Sequence, residues 1–194
     1  MPLKAIKLTI FWGSLVLSIV LALLHRTPTL GRLSLYLLTL VIFTKPAAQL
    51  FPTINIGKVL LAVRRETGQA SAFAAFGHVA SQLFPGTSLF TILQFGLASG
   101  PKGFQFWGFW ALVLMTILFL TSNDFSTHLL KRNWFLLHKL IHPLYVFVMI
   151  HAGLRKGYFG LIPYVVVLLI LYTFRFLAAR GVKFLAPPPP QLMI

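Results

Sequence analysis

The chain has no cysteine, and that absence removes disulfides, thiolate-held iron–sulfur clusters and covalent attachment of a c-type haem. It is nearly as poor in acid: two Asp and Glu residues stand against 17 Lys and Arg, a formal net charge of +15. No glycine-rich phosphate loop follows a strand, no region alternates polar with apolar, and no soluble stretch is long enough for a flavin or nicotinamide domain. If the chain handles electrons, they come from another molecule. No internal repeat is present. Charged residues make up only 10% of the chain, whereas 58% of it is hydrophobic and the mean hydropathy is +0.86. A chain of 194 residues so composed cannot hide its apolar surface in one water-soluble core.

Its solvent is therefore a bilayer. Apolar runs long enough for a hydrocarbon layer of about 30 Å alternate with clusters of charge. Six are read, at roughly 8–24, 33–50, 68–84, 104–122, 134–154 and 159–179. The expectation is an all-α, polytopic membrane bundle, with residues 1–183 as a single domain and 184–194 as a proline-rich cytoplasmic tail. The second run is interrupted by Lys45 and Pro46. The third, built from Ala, Ser, Gly and Phe, is the least hydropathic; small residues suit a helix surrounded by other helices. The stretch from Gly86 to Ala98, flanked by Pro85 and Gly100, reads as an interfacial or re-entrant loop. Trp12, Trp107, Trp110 and Trp134 read as interface anchors.

A basic chain of this kind invites a nucleic-acid reading, but that needs the cations on one soluble face, and here they stand at helix ends. In a six-span arrangement Lys4, Lys7, Lys45, Lys58, Arg64, Arg65, Lys131, Arg132, Arg175, Arg180 and Lys183 fall on one side. The other side holds Arg26, Arg32, Lys102, Arg155 and Lys156. The excess predicts both termini in the cytoplasm. Lys4 and Lys7 before an apolar run look like a secretory signal, yet no small-residue cleavage site precedes His25, so the first run is read as an uncleaved span. The Pro187 to Pro190 run reads as a short extended spacer.

The histidines inside apolar runs carry the chemistry, because an imidazole among lipid tails is costly without a partner and is a good axial ligand for haem iron. His25 and His128 lie near water and need no special account. His78 lies about 15 Å along an ideal helix from Gly68, which predicts a position deep in the hydrocarbon. His138 and His151 are about 20 Å apart on an ideal helix, a spacing that suits two metal-centre levels better than two ligands of one iron. Pro143 between them bends the helix, so phase alone leaves open whether they share a face. His142, one turn above His138, reads first as hydrogen-bonded to a neighbouring helix or to the loosened backbone, with a ligand or haem-propionate contact as the alternative. Arg64 and Arg65 at the inner boundary suit propionates or phosphates through their planar forks, or serve only the charge bias. Two imidazoles from different helices would give a low-spin iron that transfers electrons rather than binding oxygen.

Arg64-Arg65-Glu66-Thr67-Gly68, His78 after nine more residues, Thr121-Ser122, and Trp134-Phe-Leu-Leu-His138 with His151 thirteen further on together resemble the MsrQ family, within the ferric-reductase-like transmembrane superfamily. The resemblance runs from about residue 40 to 180. It implies a haem b subunit of the bacterial inner membrane that delivers electrons to MsrP, a periplasmic molybdopterin enzyme reducing methionine sulfoxide in proteins. Quinol or a cytosolic flavin reductase is the implied donor, with FMN as a further implied cofactor. Carried onto this chain, His78 and His151 would be the axial ligands of one haem, and His138 would serve a second haem or a flavin-linked inner site. Two other readings keep the histidines: a transmembrane ferric or cupric reductase, and a transporter without cofactor.

Overall fold

The computed structural model describes residues 3–83 and 86–184. The Pro187 to Pro190 run and the rest of the expected tail from residue 185 lie outside the described residues. Within them every regular element is helical: α1 (Leu3–Leu23), α2 (Thr27–Leu50), α3 (Asn55–Ala62), α4 (Arg64–Ala80), α5 (Leu89–Ala98), α6 (Phe104–Leu120), α7 (Asp124–Leu130), α8 (Arg132–Leu137), α9 (Ile141–Leu154) and α10 (Ile162–Ala179), with 3-10 turns at His138–Leu140 and Tyr158–Leu161. The chain is an all-α polytopic membrane protein.

Four helical stretches are long and apolar enough to cross a bilayer: Leu3–Leu23, Thr27–Leu50, Arg132–Leu154 and Tyr158–Ala179. A fifth is reached if α6 and α7, set at 89° to each other, count as one broken span. The six expected from the sequence are thus not all met by length and hydropathy. The one that falls short is α4, with 17 residues and Arg64, Arg65 and Glu66 in its first turn.

What α4 lacks in hydropathy it has in packing. It lies chiefly against α2 and α1, and also against α6. Ala70, Ser71, Ala72, Ala74 and Gly77 are buried, and small residues let backbones approach closely. The Ser71 hydroxyl donates to the Ser34 carbonyl at 2.9 Å, and a Cβ on Gly77 would stand 3.1 Å from the Ser18 carbonyl oxygen. Beside this seam, Leu38, Ile42, Met115, Leu144, Tyr145, Met149 and Leu171 form the main core. By contrast the outer faces of α1 and α10 expose Leu8, Trp12, Val16, Val165 and Leu169, as lipid-facing helices should.

Two local expectations change. Lys45 and Pro46 do not interrupt α2, which runs on to Leu50 with Pro46 buried inside it. Residues 89–98 form a helix rather than a loop: the Ser88 side chain caps it by accepting from the Thr91 N–H at 3.1 Å, and Gly96 lets it lie against Phe109 of α6. Before Pro143 the helix tightens into the 3-10 turn His138–Leu140, since Pro143 offers no N–H to the carbonyl of Lys139.

Candidate functional site

At one end of the bundle, His78 from the last turn of α4 faces His151 from the last turn of α9. Their ring centroids are 6.4 Å apart and their planes cross at 82°. His78 therefore sits near the end of its helix, beside the start of α2.

Both rings are oriented by backbone. His78 Nδ1 lies 2.9 Å from the Thr27 carbonyl, and His151 Nδ1 lies 2.8 Å from the Phe104 carbonyl. A carbonyl only accepts, so each Nδ1 carries the proton and each Nε2 is left as a lone-pair donor. Such a second partner fixes the ring and raises its basicity toward a metal. Two glycines make the room. A Cβ on Gly31 of α2 would stand 3.1 Å from His78 Nδ1, and one on Gly108 of α6 would stand 2.6 Å from His151 Nδ1.

An ion held between two facing imidazoles by bonds of about 2 Å on each side places the ring centres about 6 Å apart. The observed 6.4 Å fits that arrangement. Among the described residues no group of three or more His, Cys, Asp or Glu side chains could cage a bare metal ion. Two imidazoles alone are too few for a structural zinc site, but they complete an iron whose other four ligands come from a porphyrin. The donor set therefore fits a haem. Arg155, one turn beyond His151, bears electrostatically on both rings.

The remaining site candidates lie toward the opposite end and do not join this pair. His138 stands in the 3-10 turn, its ring stacked on Trp134 at 3.9 Å and its Nε2 3.3 Å from the Thr121 hydroxyl. His142 accepts from the Arg175 guanidinium of α10, the neighbouring-helix hydrogen bond first expected of it. Arg64 donates from Nε to the Val41 carbonyl at 3.1 Å, and its charge reaches His138, His142 and Arg175. Arg65 is committed to carboxylates: it hydrogen-bonds Asp124 and lies 3.7 Å from Glu66.

Sequence reasoning missed Arg155, Arg175, Gly31 and Gly108. Arg175 carried a signal, being a lone cation inside an apolar run; the glycines carried none, since their role depends on which helix crosses them.

The Arg65 contact is open to a pH test. Its hydrogen bond and then its charge hold the Asp124 carboxyl below the usual carboxylate range. A depressed value means the contact stabilises above the ordinary aspartate range and is lost as pH falls through the lowered value. Asp124 is the chain's one aspartate, so a carboxyl-labelled sample gives a single aspartate resonance to titrate. Arg65→Gln is expected to move that titration upward toward the ordinary range; an unmoved midpoint would remove Arg65 as its cause.

A family model described as "Ferric reductase like transmembrane component" matches residues 30–149. The matched stretch contains Arg64, Arg65, His78, His138 and His142 and ends two residues before His151. No curated protein and no solved structure matches the chain.

Proposed function

The chain belongs to the ferric reductase like transmembrane component family, and from that premise we propose that it is a b-type haem subunit carrying electrons across the bacterial inner membrane to a periplasmic MsrP-like molybdopterin enzyme. Membership makes it a transmembrane electron-transfer protein of the cytochrome b kind. The finer reading draws on the MsrQ-like spacing of Arg64-Arg65, His78, His138 and His151, with quinol or a cytosolic flavin reductase as donor.

The observation that carries the haem is the facing pair at 6.4 Å. When bound, a b haem supplies a one-electron couple whose potential the axial ligands and their surroundings tune. His78 and His151 would hold it. The Thr27 and Phe104 carbonyls keep both Nδ1 protons in place and leave both Nε2 lone pairs for a metal. With His78 and His151 both holding the iron, a haem here would carry electrons rather than bind oxygen. The described residues pair one set of histidines in this way, which supports one haem rather than two; His138, against Thr121 and Trp134, has no facing imidazole. FMN stays an implication of the resemblance alone. The excess of cations at the N-terminal end supports cytoplasmic termini.

The description of the matched family favours a second reading, reduction of ferric or cupric ions outside the cell, with the same haem and no molybdoenzyme. A cofactor-free transporter leaves the oriented histidine pair without a purpose.

A pyridine haemochrome assay with protein quantitation tests the core of the proposal. One haem b per chain is expected. Two would restore a second level at His138, and a purified chain with no Soret band would end the reading. Reduced protein that is reoxidised by an MsrP-like enzyme but not by ferric citrate separates the two acceptors.

A further inference from the structure

The bundle end opposite the facing histidines has a cavity of about 330 Å³, bounded by α1, the first turn of α4 and the corner between α6 and α7. Glu66 forms part of its wall and is 6% exposed. Its Oε1 lies 3.5 Å from the Lys7 ammonium and 3.7 Å from Arg65 Nε, whereas its Oε2 is buried with no hydrogen-bond partner. Buried acceptors are nearly always satisfied, and a carboxylate oxygen more than most needs a donor. The other carboxylate of the chain, Asp124, is held by Arg65 in the same wall.

The rest of the lining says what kind of donor fits. Lys4 and Lys7 stand at the rim and call for an anion. The orphan oxygen calls for a cation that can donate. Leu8 and Phe11 are apolar, and Leu8 and Trp12 continue onto the lipid-facing side of α1. A ligand that is anionic at one point, an N–H cation a few bonds away and apolar beyond is an aminophospholipid.

We propose that this cavity binds a phosphoethanolamine headgroup, its ammonium donating to the Glu66 carboxylate once that side chain turns its buried Oε2 toward the cavity, and its phosphate lying against Lys4 and Lys7, with the acyl chains along Leu8 and Trp12. The site owes nothing to the haem reading, and its test needs no bound cofactor. Choline headgroups keep the charge but have no N–H, so they cannot satisfy the carboxylate.

The purified full chain in a neutral detergent is titrated with phosphatidylethanolamine and with its mono-, di- and trimethylated forms, and retained lipid is read by native mass spectrometry. Wild type is expected to hold the unmethylated lipid about tenfold more tightly than the trimethylated one, the size of one charge-assisted hydrogen bond, with a stepwise loss between. Glu66→Gln should erase that preference, while Lys4→Gln should weaken the whole series equally. Equal retention across the series by wild type, which requires no variant to fold, overturns the proposal, as does a preference that survives in Glu66→Gln. Displacement of the lipid by soluble phosphoethanolamine at equal concentration would give the same site to a soluble ligand and overturn the lipid assignment.

Discussion

Alanine at His78 or at His151 is expected to remove the low-spin bis-histidine spectrum while the chain remains inserted in the membrane. Each ring would supply the protein nitrogen on its side of a haem, so losing either would leave the site with half its protein bonds to the iron. The loss of haem should exceed the ten- to hundredfold typical of removing a mere orienting group. The fold should tolerate the change. The Thr27 and Phe104 carbonyls that lose a donor lie at helix starts beside chain turns, where water can replace it, so each substitution costs about 1 kcal/mol. Optical and EPR spectra of the two variants, beside a check of membrane-fraction yield, decide the matter. Unchanged low-spin signals in both would refute the assignment.

The second large effect is expected from a residue with no chemistry. A methyl group on Gly108 would lie 2.6 Å from His151 Nδ1 and 2.8 Å from its Cε1, closer than real Cβ contacts come. The ring must move, and moving it breaks the bond to the Phe104 carbonyl. Gly108→Ala is expected to lower haem content about tenfold, the scale of second-shell losses, and to alter the low-spin signature of what remains. Gly31→Ala, with its nearest approach at 3.1 Å to His78, should act in the same sense but less. Gly13→Ala meets nothing within 4 Å and serves as the control; in the interior of α1 it should be neutral or stabilising by up to about 1 kcal/mol. Equal haem content and spectra in all three would show that the imidazoles are not held by these close approaches.

The contrast between helices shows what a sequence can disclose. Hydropathy marked α1, α6, α9 and α10 plainly, since the signal lies in each residue by itself. It undervalued α4, whose environment is other helices: Ala70, Ser71 and Gly77 are selected by the backbones of α1 and α2, which no single-sequence pattern reports. The histidine pairing divides in the same way. That His78 and His151 are candidates follows from their cost among apolar residues. That they face each other depends on where the bundle sets the ends of α4 and α9, which no pattern along one helix reports, so only the resemblance pointed to the pair. Arg65 was read as an anion-binding fork and is one, but the anions are Asp124 and Glu66 of the same chain.

Those two acids have a consequence for the far face. Both stand at the N-terminal end of α4, so the end bearing His78 and His151 has Arg26, Arg32, Lys102, Arg155 and Lys156 and not one carboxylate to offset them. Its potential is of a single sign, reaching about 8 Å into a medium of physiological ionic strength. A soluble protein that meets this face is drawn in by long-range attraction only if its own contact region is acidic, and its association rate will fall steeply as salt is raised.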